Sequence, residues 1–240
     1  MENVIMTKKS NDRRHFLKSG ALLGSAAFLN GLDQTTTAAE HATSDKVDIW
    51  EAFSKRRSVR KFQPNPVPEE HLLKILDAAH SAPTSGNQQP WKFLVVRDKT
   101  RIMQLREGCV KHDVERFYEQ YGQGQTQEEF ANSCRQEIAG CFSAPVFIVV
   151  LTDNQSRYPT YNHWDGPLAA GYLMLAARAL GYGTVHITDS IPEQITKEVL
   201  AIPDRYTRVC ITPLGVPTEW PESPPKKKLQ EFIAFESLTT

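Results

Sequence analysis

The sequence has 240 residues, of which 40% are hydrophobic and 23% are charged, so it can form a packed domain of medium size and is not a disordered chain. Lys and Arg together number 28, as do Asp and Glu, which argues against a polycation that binds nucleic acid. The four cysteines include no Cys-x-x-Cys pair, which indicates neither a disulfide framework nor a zinc ribbon, although pairing after export remains open.

The first 39 residues have the pattern of a bacterial export signal. Arg13 and Arg14 precede a weakly apolar stretch, residues 19–32, that is too short to span a bilayer comfortably, and small residues follow up to Ala39. The adjacent arginines resemble a twin-arginine (Tat) motif, which is read by the Tat translocon. We therefore expect cleavage near Ala39, export to the periplasm and a linker over residues 40–46. The alternative is a basic amphipathic tail.

The next segments alternate between helix and strand patterns. Residues 48–57 carry apolar side chains at helical spacing, and Pro68 opens a second helix whose apolar face continues to Ala79. Residues 91–96 predict a short apolar strand. Residues 100–139 are polar and predict helices that are interrupted midway by a glycine-containing stretch.

The second half of the chain predicts three more strands around one buried helix. Residues 145–151 are apolar and rich in β-branched side chains, as in a buried strand. Residues 167–180 carry almost no charge, so this helix must be buried in the domain or in a subunit interface, and Gly181 ends it. Residues 184–187 and 208–214 complete the pattern of a single domain that contains helices and strands.

A basic segment, residues 56–62, is the first candidate site. Arg56, Ser58 and Arg60 alternate, so an extended chain would present them on one face. Guanidinium groups suit bidentate contacts with phosphate, which makes an anion the expected partner. A solvated basic surface is the alternative.

Two further polar segments lie in a loop and near the C-terminus. Residues 81–91 are dense in amides and hydroxyls, which supply both donors and acceptors for the edge of a heteroaromatic ring. A capped surface turn is the alternative there. Residues 224–229, Pro-Pro-Lys-Lys-Lys-Leu, would by themselves indicate a solvated tail.

Taken together and in this order, these segments resemble the nitroreductase family of FMN flavoproteins. The resemblance rests on Arg-Arg-Ser-Val-Arg-Lys-Phe, on Ser-Ala-Pro-Thr-Ser-Gly-Asn-Gln-Gln-Pro-Trp-Lys-Phe, on the core helix over residues 165–180 with its following Gly-Tyr-Gly, and on Pro-Pro-Lys-Lys-Lys-Leu. It covers residues 47–235 and leaves residues 236–240 as a tail. It implies a three-layer α+β fold, with a central and mainly antiparallel sheet flanked by helices, and an intertwined homodimer with FMN in each of two interface sites.

The resemblance also implies which residues bind the cofactor. Contacts with the phosphate, ribityl chain or ring are expected from Arg56, Arg57, Ser58, Arg60, Asn87, Gln89, Lys226 and Lys228. The partner subunit is expected to supply Pro83, Thr84 and Ser85 on the far side of the flavin. Many family members have a glycine-containing stretch near the flavin N5, and here His186 or Ile187 is expected in that place.

Residues 105–140 are the expected source of specificity. Phe117, Tyr118 and Tyr121 could form a lid that stacks on a small planar acceptor, or the segment could be a helical pair that packs its own small core. We interpret Asp165 as a helix N-cap, with a role in the flavin pocket as the alternative. No metal site is expected, because the Cys-x-x-His spacing at residues 109–112 has no second pair.

The resemblance implies an FMN-dependent oxidoreductase in which the chemistry takes place on the flavin, so no general base is assigned. We expect NAD(P)H-dependent ping-pong reduction of nitroaromatic, quinone or similar acceptors. Because NAD(P)H is scarce outside the cytoplasm, two alternatives remain. One is an exported flavoenzyme with another donor or substrate, and the other is a non-enzymatic flavin-binding electron carrier.

Overall fold

The computed structural model describes residues 48–238, so the predicted export signal and linker lie outside the described residues, as do the last two residues of the predicted tail. The main elements, in chain order, are α1 Ile49–Lys55, α2 Glu69–His80, β1 Trp91–Val96, α3 Lys99–Tyr121, α4 Gln127–Ile138, β2 Val146–Asp153, α5 Asn162–Ala179, β3 Gly183–Thr184, α6 Glu193–Leu200 and β4 Tyr206–Gly215. No helix among these residues is long and apolar enough to cross a membrane.

The four strands form one sheet in the order β1-β2-β4-β3, and every neighbouring pair is antiparallel. β3 is shorter than predicted, although Ile187 still pairs with Ile211 in the register that joins Thr184 to Leu214. In that register Val185 lies opposite Pro213, which has no N–H to donate. The proline therefore interrupts the ladder, and the predicted strand over residues 184–187 is reduced to a two-residue strand and a separate bridge.

The sheet is covered on both faces, which makes three layers. One face of β2 and β4 packs against α3 and α6 through a cluster that includes Leu105, Phe147 and Ile211. The opposite face packs against α2 and α5 through a cluster that includes Ile75 and Leu173. The predicted three-layer α+β fold with a mainly antiparallel sheet is confirmed.

The helix α5 begins earlier than predicted. It starts at Asn162, with Tyr161 in the N-cap position, and Pro167 lies just beyond its first turn. The interpretation of Asp165 as the N-cap is therefore wrong, because Asp165 is inside the first turn and its carboxylate bonds to another segment. Helix α6 was not predicted, although Pro192 and Glu193 repeat the proline-acid start that marks α2.

The helices α3 and α4 form a hairpin with its own small core. Phe130 and Cys134 of α4 are buried against Val110 of α3. A capping box between Thr126 and Glu129 begins α4, which explains the predicted interruption.

Candidate functional site

The basic segment is held against the edge of the sheet by its backbone. Ser58 forms a parallel bridge with Thr184, and the Val59 N–H donates to the Thr184 carbonyl over 2.9 Å. The Val59 side chain is 1% exposed and packs in the core on the α3 side of the sheet. Because side chains alternate along an extended chain, Ser58 and Arg60 point away from that core.

The fold leaves several donors of this segment without a partner among residues 48–238. The guanidinium of Arg56 and the hydroxyl of Ser58 donate to no described residue, and Arg56 is half-buried. Arg60 makes only a 3.4 Å bond to the Ser58 carbonyl. Arg57 differs, because it donates to the carbonyls of Ser54 at 2.7 Å and Arg56 at 2.8 Å and so caps the end of α1.

The amide-rich loop between α2 and β1 has an unusual backbone. Gly86, Asn87 and Gln89 all have positive φ, at 58°, 54° and 47°. Such angles are unfavourable for residues other than glycine and cluster at functional sites. Asn87 and Gln89 are exposed, and the Gln89 amide donates to the Asn87 side-chain oxygen over 2.9 Å. The Asn87 amide nitrogen remains available.

This loop is tied to the start of α5. The Ser85 N–H and hydroxyl donate to the Asp165 carboxylate over 3.0 and 3.3 Å. Asn87 belongs to the same short turn, Ser85–Asn87, so it must reach any site from the same protomer as Pro83, Thr84 and Ser85. The structure thus corrects the expectation that Asn87 and these three residues come from different subunits.

The loop and the basic segment lie at opposite ends of the sheet. The loop leads into Trp91, which pairs with Thr152, whereas the basic segment bridges to Thr184 beside Leu214 at the other end of β4. Helix α5 spans the same distance, with Asp165 in its first turn and its last turn close to the basic segment. At about 1.5 Å per residue, roughly 20 Å separate the two ends. The donors of one protomer therefore do not converge on one compact ring.

The two candidates near the flavin N5 differ sharply. Ile187 is 7% exposed, and its N–H and carbonyl both bond to Ile211, at 3.2 and 3.0 Å. The expectation of a cofactor contact from Ile187 is therefore corrected, since its backbone groups are already used by the sheet. His186 is exposed and lies on the same side of the sheet as Ser58 and Thr184. Partial burial of its ring lowers the pKa of His186 below its ordinary value.

The C-terminal arm, residues 218–238, is exposed throughout, and its start is held to the domain by the Thr218 N–H, which donates to the Lys61 carbonyl, and by the Trp220 ring, which packs against the Arg178 guanidinium. Lys226 and Lys228 form no salt bridge with another described residue.

Large apolar side chains are exposed along the arm, on α1 and in one stripe of α5. They are Leu229, Phe232, Ile233, Phe235 and Leu238; Ile49, Trp50 and Phe53; and Trp164, Leu168 and Tyr172. Exposed apolar surface of this extent marks an interaction surface.

The three aromatic residues assigned to substrate are largely engaged in the α3–α4 hairpin. The Tyr118 ring packs edge-on against Phe130, and its hydroxyl donates to the Gln125 carbonyl over 2.7 Å. Phe117 and Tyr121 are half-buried and contact each other. This packing favours the alternative of a helical pair with its own core, and only the outer edges of Phe117 and Tyr121 remain for a ligand.

Sequence analysis missed Arg208, which fixes the loop that follows β3. Its guanidinium donates to the carbonyls of Ile191 and Thr188, both at 2.6 Å, and to the Thr196 hydroxyl at 2.8 Å. Burial lowers the pKa of Arg208. The sequence feature that could have revealed this role is a single arginine in an otherwise apolar predicted strand.

No group of three or more His, Cys, Asp or Glu residues within the described range is placed to hold a metal ion.

Comparisons with known proteins agree with this architecture. A family model described as the Nitroreductase family matches residues 53–216. An iodotyrosine deiodinase from Thermotoga neapolitana is 29% identical over 78% of this chain and 98% of the relative, and an NADH dehydrogenase from Thermus thermophilus is 28% identical over 74% and 91%. The crystal structure of an oxidized iodotyrosine deiodinase bound to FMN and 3-iodo-L-tyrosine has a TM-score of 0.65 and 26% identity, and the similarity covers 80% of this chain and 100% of that one. Because the family model matches well over half of the chain, this protein belongs to the Nitroreductase family.

Proposed function

We propose that this chain is an FMN-dependent oxidoreductase that takes a hydride from NAD(P)H and passes the electrons to a small planar acceptor such as a nitroaromatic or a quinone. Membership of the Nitroreductase family makes it an oxidoreductase, and FMN is bound in the related deiodinase structure. The observation that carries the proposal is the set of donors that the fold leaves unused beside the β3 edge.

These donors suit the parts of FMN. Beside the β3 edge, the guanidinium groups of Arg56 and Arg60 would hold the phosphate, and the Ser58 hydroxyl adds a neutral donor. Lys226 and Lys228, on the exposed C-terminal arm, are proposed as two further cations for the phosphate. Arg57 supports the segment by capping α1. When bound, FMN supplies hydride acceptance at its N5 atom. The residues of the chain bind and orient it.

We propose that the site is shared between two copies of the chain. The loop that carries Asn87 lies roughly 20 Å from the basic segment of its own protomer. A second copy can bring its loop to the first copy's basic segment, and a two-fold dimer then has two equivalent sites. The exposed apolar stripe of Trp164, Leu168 and Tyr172 supports such an interface.

The direct test is a visible absorption spectrum of the purified protein before and after anaerobic addition of NADH or NADPH. Rapid bleaching of a flavin band, followed by many turnovers with a nitroaromatic or quinone, is the expected result. A flavin band that persists with both nucleotides overturns the NAD(P)H-dependent reaction. Multiple turnovers with a different donor would then distinguish an enzyme from an electron carrier.

A second candidate is reductive removal of halogen from a halogenated phenol. Two relatives favour it. This chain aligns with 98% of the length of the deiodinase from Thermotoga neapolitana, and the structural similarity to the deiodinase covers 100% of that chain. The test is release of iodide from 3-iodo-L-tyrosine by the dithionite-reduced protein, with L-tyrosine as the second product. Retention of iodide with full nitroreductase turnover would exclude it.

We also propose that the chain is exported by Tat to the periplasm. The proposal is supported by Arg13, Arg14 and the apolar stretch that follows them. The test is fractionation of cells that express the full chain or the R13K/R14K variant. The native chain is expected in the periplasmic fraction with its N-terminus near residue 40, and the variant inside the cell. Equal distribution of the two would contradict the proposal.

A further inference from the structure

Asp165 is a buried carboxylate with an unusual set of partners. Its side chain is 2% exposed, and it has no salt bridge with a cation in the described part of the chain. Its two oxygens instead accept three hydrogen bonds from the loop before β1. Ser85 donates twice to one oxygen, and the Gln88 amide donates to the other over 2.7 Å.

The orientation of Gln88 is fixed by the backbone of Tyr158. The Gln88 oxygen accepts from the Tyr158 N–H at 2.8 Å, and its nitrogen donates to the Tyr158 carbonyl at 3.1 Å. A backbone N–H can only donate, so the Gln88 nitrogen must face Asp165. The loop therefore presents only donors to Asp165. A carboxylate, which has two acceptor oxygens, can accept from all of them, whereas the NH₂ group of an amide cannot accept.

This network holds the loop in a conformation that the chain would not adopt freely. Between the two anchored residues, Gly86 and Asn87 take positive φ, and Gln89 does so directly after them. Gly86 also lies against the Tyr158 ring, because an added Cβ would approach the ring to 2.7 Å. Asp165 holds Ser85 and Gln88, and the side chains of Asn87 and Gln89 are exposed to solvent.

We propose that Asp165 is a positioning residue for the flavin site to which this loop contributes. The inference rests on the proposed function. Asp165 does not touch the flavin; it sets the loop conformation that presents the Asn87 carboxamide to the ring. In the shared site proposed above, the Asp165 of each protomer acts on the flavin that is held by the basic segment of the other.

The test compares FMN dissociation constants and the absorption spectrum of bound FMN among matched variants. D165N replaces one acceptor by a donor that opposes the Gln88 nitrogen, and it is expected to weaken FMN binding about tenfold or more and to shift the flavin band. D98N is the control, because Asp98 caps α3 through the Arg101 N–H and lies outside the loop network.

Urea unfolding is measured for each variant, so that FMN affinities are compared only under conditions in which every variant is fully folded. If D165N does not fold, S85A removes only one of the three bonds and is expected to weaken binding a few-fold. Wild-type protein that takes up no FMN would overturn the proposed function. Wild-type protein that binds FMN, with D165N or S85A equal to it in affinity and spectrum, would overturn the positioning role alone.

Discussion

Ser58 and Thr184 lie side by side in a parallel bridge at the β3 edge, and this contact uses backbone atoms only. The Ser58 hydroxyl therefore has no hydrogen-bond partner among the described residues, although the backbone of its segment is held by the sheet. In the proposed site that hydroxyl faces the cofactor.

The first prediction is that S58A weakens FMN binding about five- to tenfold and leaves the free energy of unfolding nearly unchanged, because only one ligand hydrogen bond is lost. Fluorescence titration with FMN and urea unfolding would measure both. S54A is the matched control, since the Ser54 hydroxyl donates only to the Glu51 carbonyl on the surface of α1. Equal FMN affinity in S58A and wild type would exclude a direct contact.

The second prediction concerns the shared site. Dimers of R56A and dimers of N87A are both expected to bind FMN poorly, because each variant damages a different half of every site. Co-expressed, the two chains form mixed dimers in which one site is intact, so roughly a quarter of all sites should recover at random mixing. The flavin content of the purified mixture measures this fraction. R56A mixed with S58A is the control and should recover nothing, because both changes lie in the same half.

The third prediction separates backbone strain from ring contact at Gly86. G86A forces an alanine into positive φ and brings its Cβ within 2.7 Å of the Tyr158 ring, whereas G124A meets the same backbone penalty at φ 80° with nothing within 4 Å. G124A should lose about 1–2 kcal/mol in the free energy of unfolding, and G86A should lose more, because the Tyr158 ring must also move. Only G86A should also weaken FMN binding, since it alone displaces the loop. Normal FMN affinity in G86A would contradict a role of the loop geometry.

Sequence patterns predicted the layers of the fold because burial is periodic. The unbroken apolar run of β2 predicts burial on both faces, and the structure buries it. The nearly uncharged α5 predicts burial all round, whereas in the protomer only one side is buried and the stripe of Trp164, Leu168 and Tyr172 is exposed. The ends of strands were harder to predict where they depend on a single backbone group. The end of β3 depends on the missing N–H of Pro213, a residue that lies on a different strand and that no local pattern connects to β3.

The resemblance predicts cofactor-site residues, but it does not predict the partners that hold them. Asp165 and Ser85 are far apart in sequence, and nothing local distinguishes a carboxylate that caps its own helix from one that binds a distant loop. The resemblance predicts Ile187 at the site, whereas strand alternation predicts that its side chain points into the core. Val185 and Ile187 enter the core, which leaves His186 on the opposite side.

The fourth prediction is that Arg208 stabilises the loop after β3. R208M leaves the carbonyls of Thr188 and Ile191 without their buried donor, so the free energy of unfolding should fall by about 3 kcal/mol or more. R205M is the matched control, because Arg205 pairs with Asp153 at the surface and the loss of that pair should cost under about 1 kcal/mol. Urea unfolding measures both, and similar losses in the two variants would contradict the prediction.

The fifth prediction concerns pH. Partial burial lowers the pKa of His186 below its ordinary value near 6.5, so the ring is neutral at pH 7 and becomes protonated only in more acidic solution. The folded state then binds this proton less readily than the unfolded state does. The resulting stabilisation is present above about pH 6.5 and is lost as the pH falls through the folded-state pKa.

If His186 lies beside the flavin, the same protonation adds a positive charge near the ring. The rate of flavin reduction by NAD(P)H should therefore change as the pH falls below about 6.5, and this change should be absent in H186Q. H163Q is the control, because His163 is an exposed histidine whose ring contacts Trp164 at the start of α5. Stopped-flow reduction of bound flavin across this pH range gives the profile. A profile in H186Q that is the same as that of the wild type would show that His186 does not lie beside the flavin.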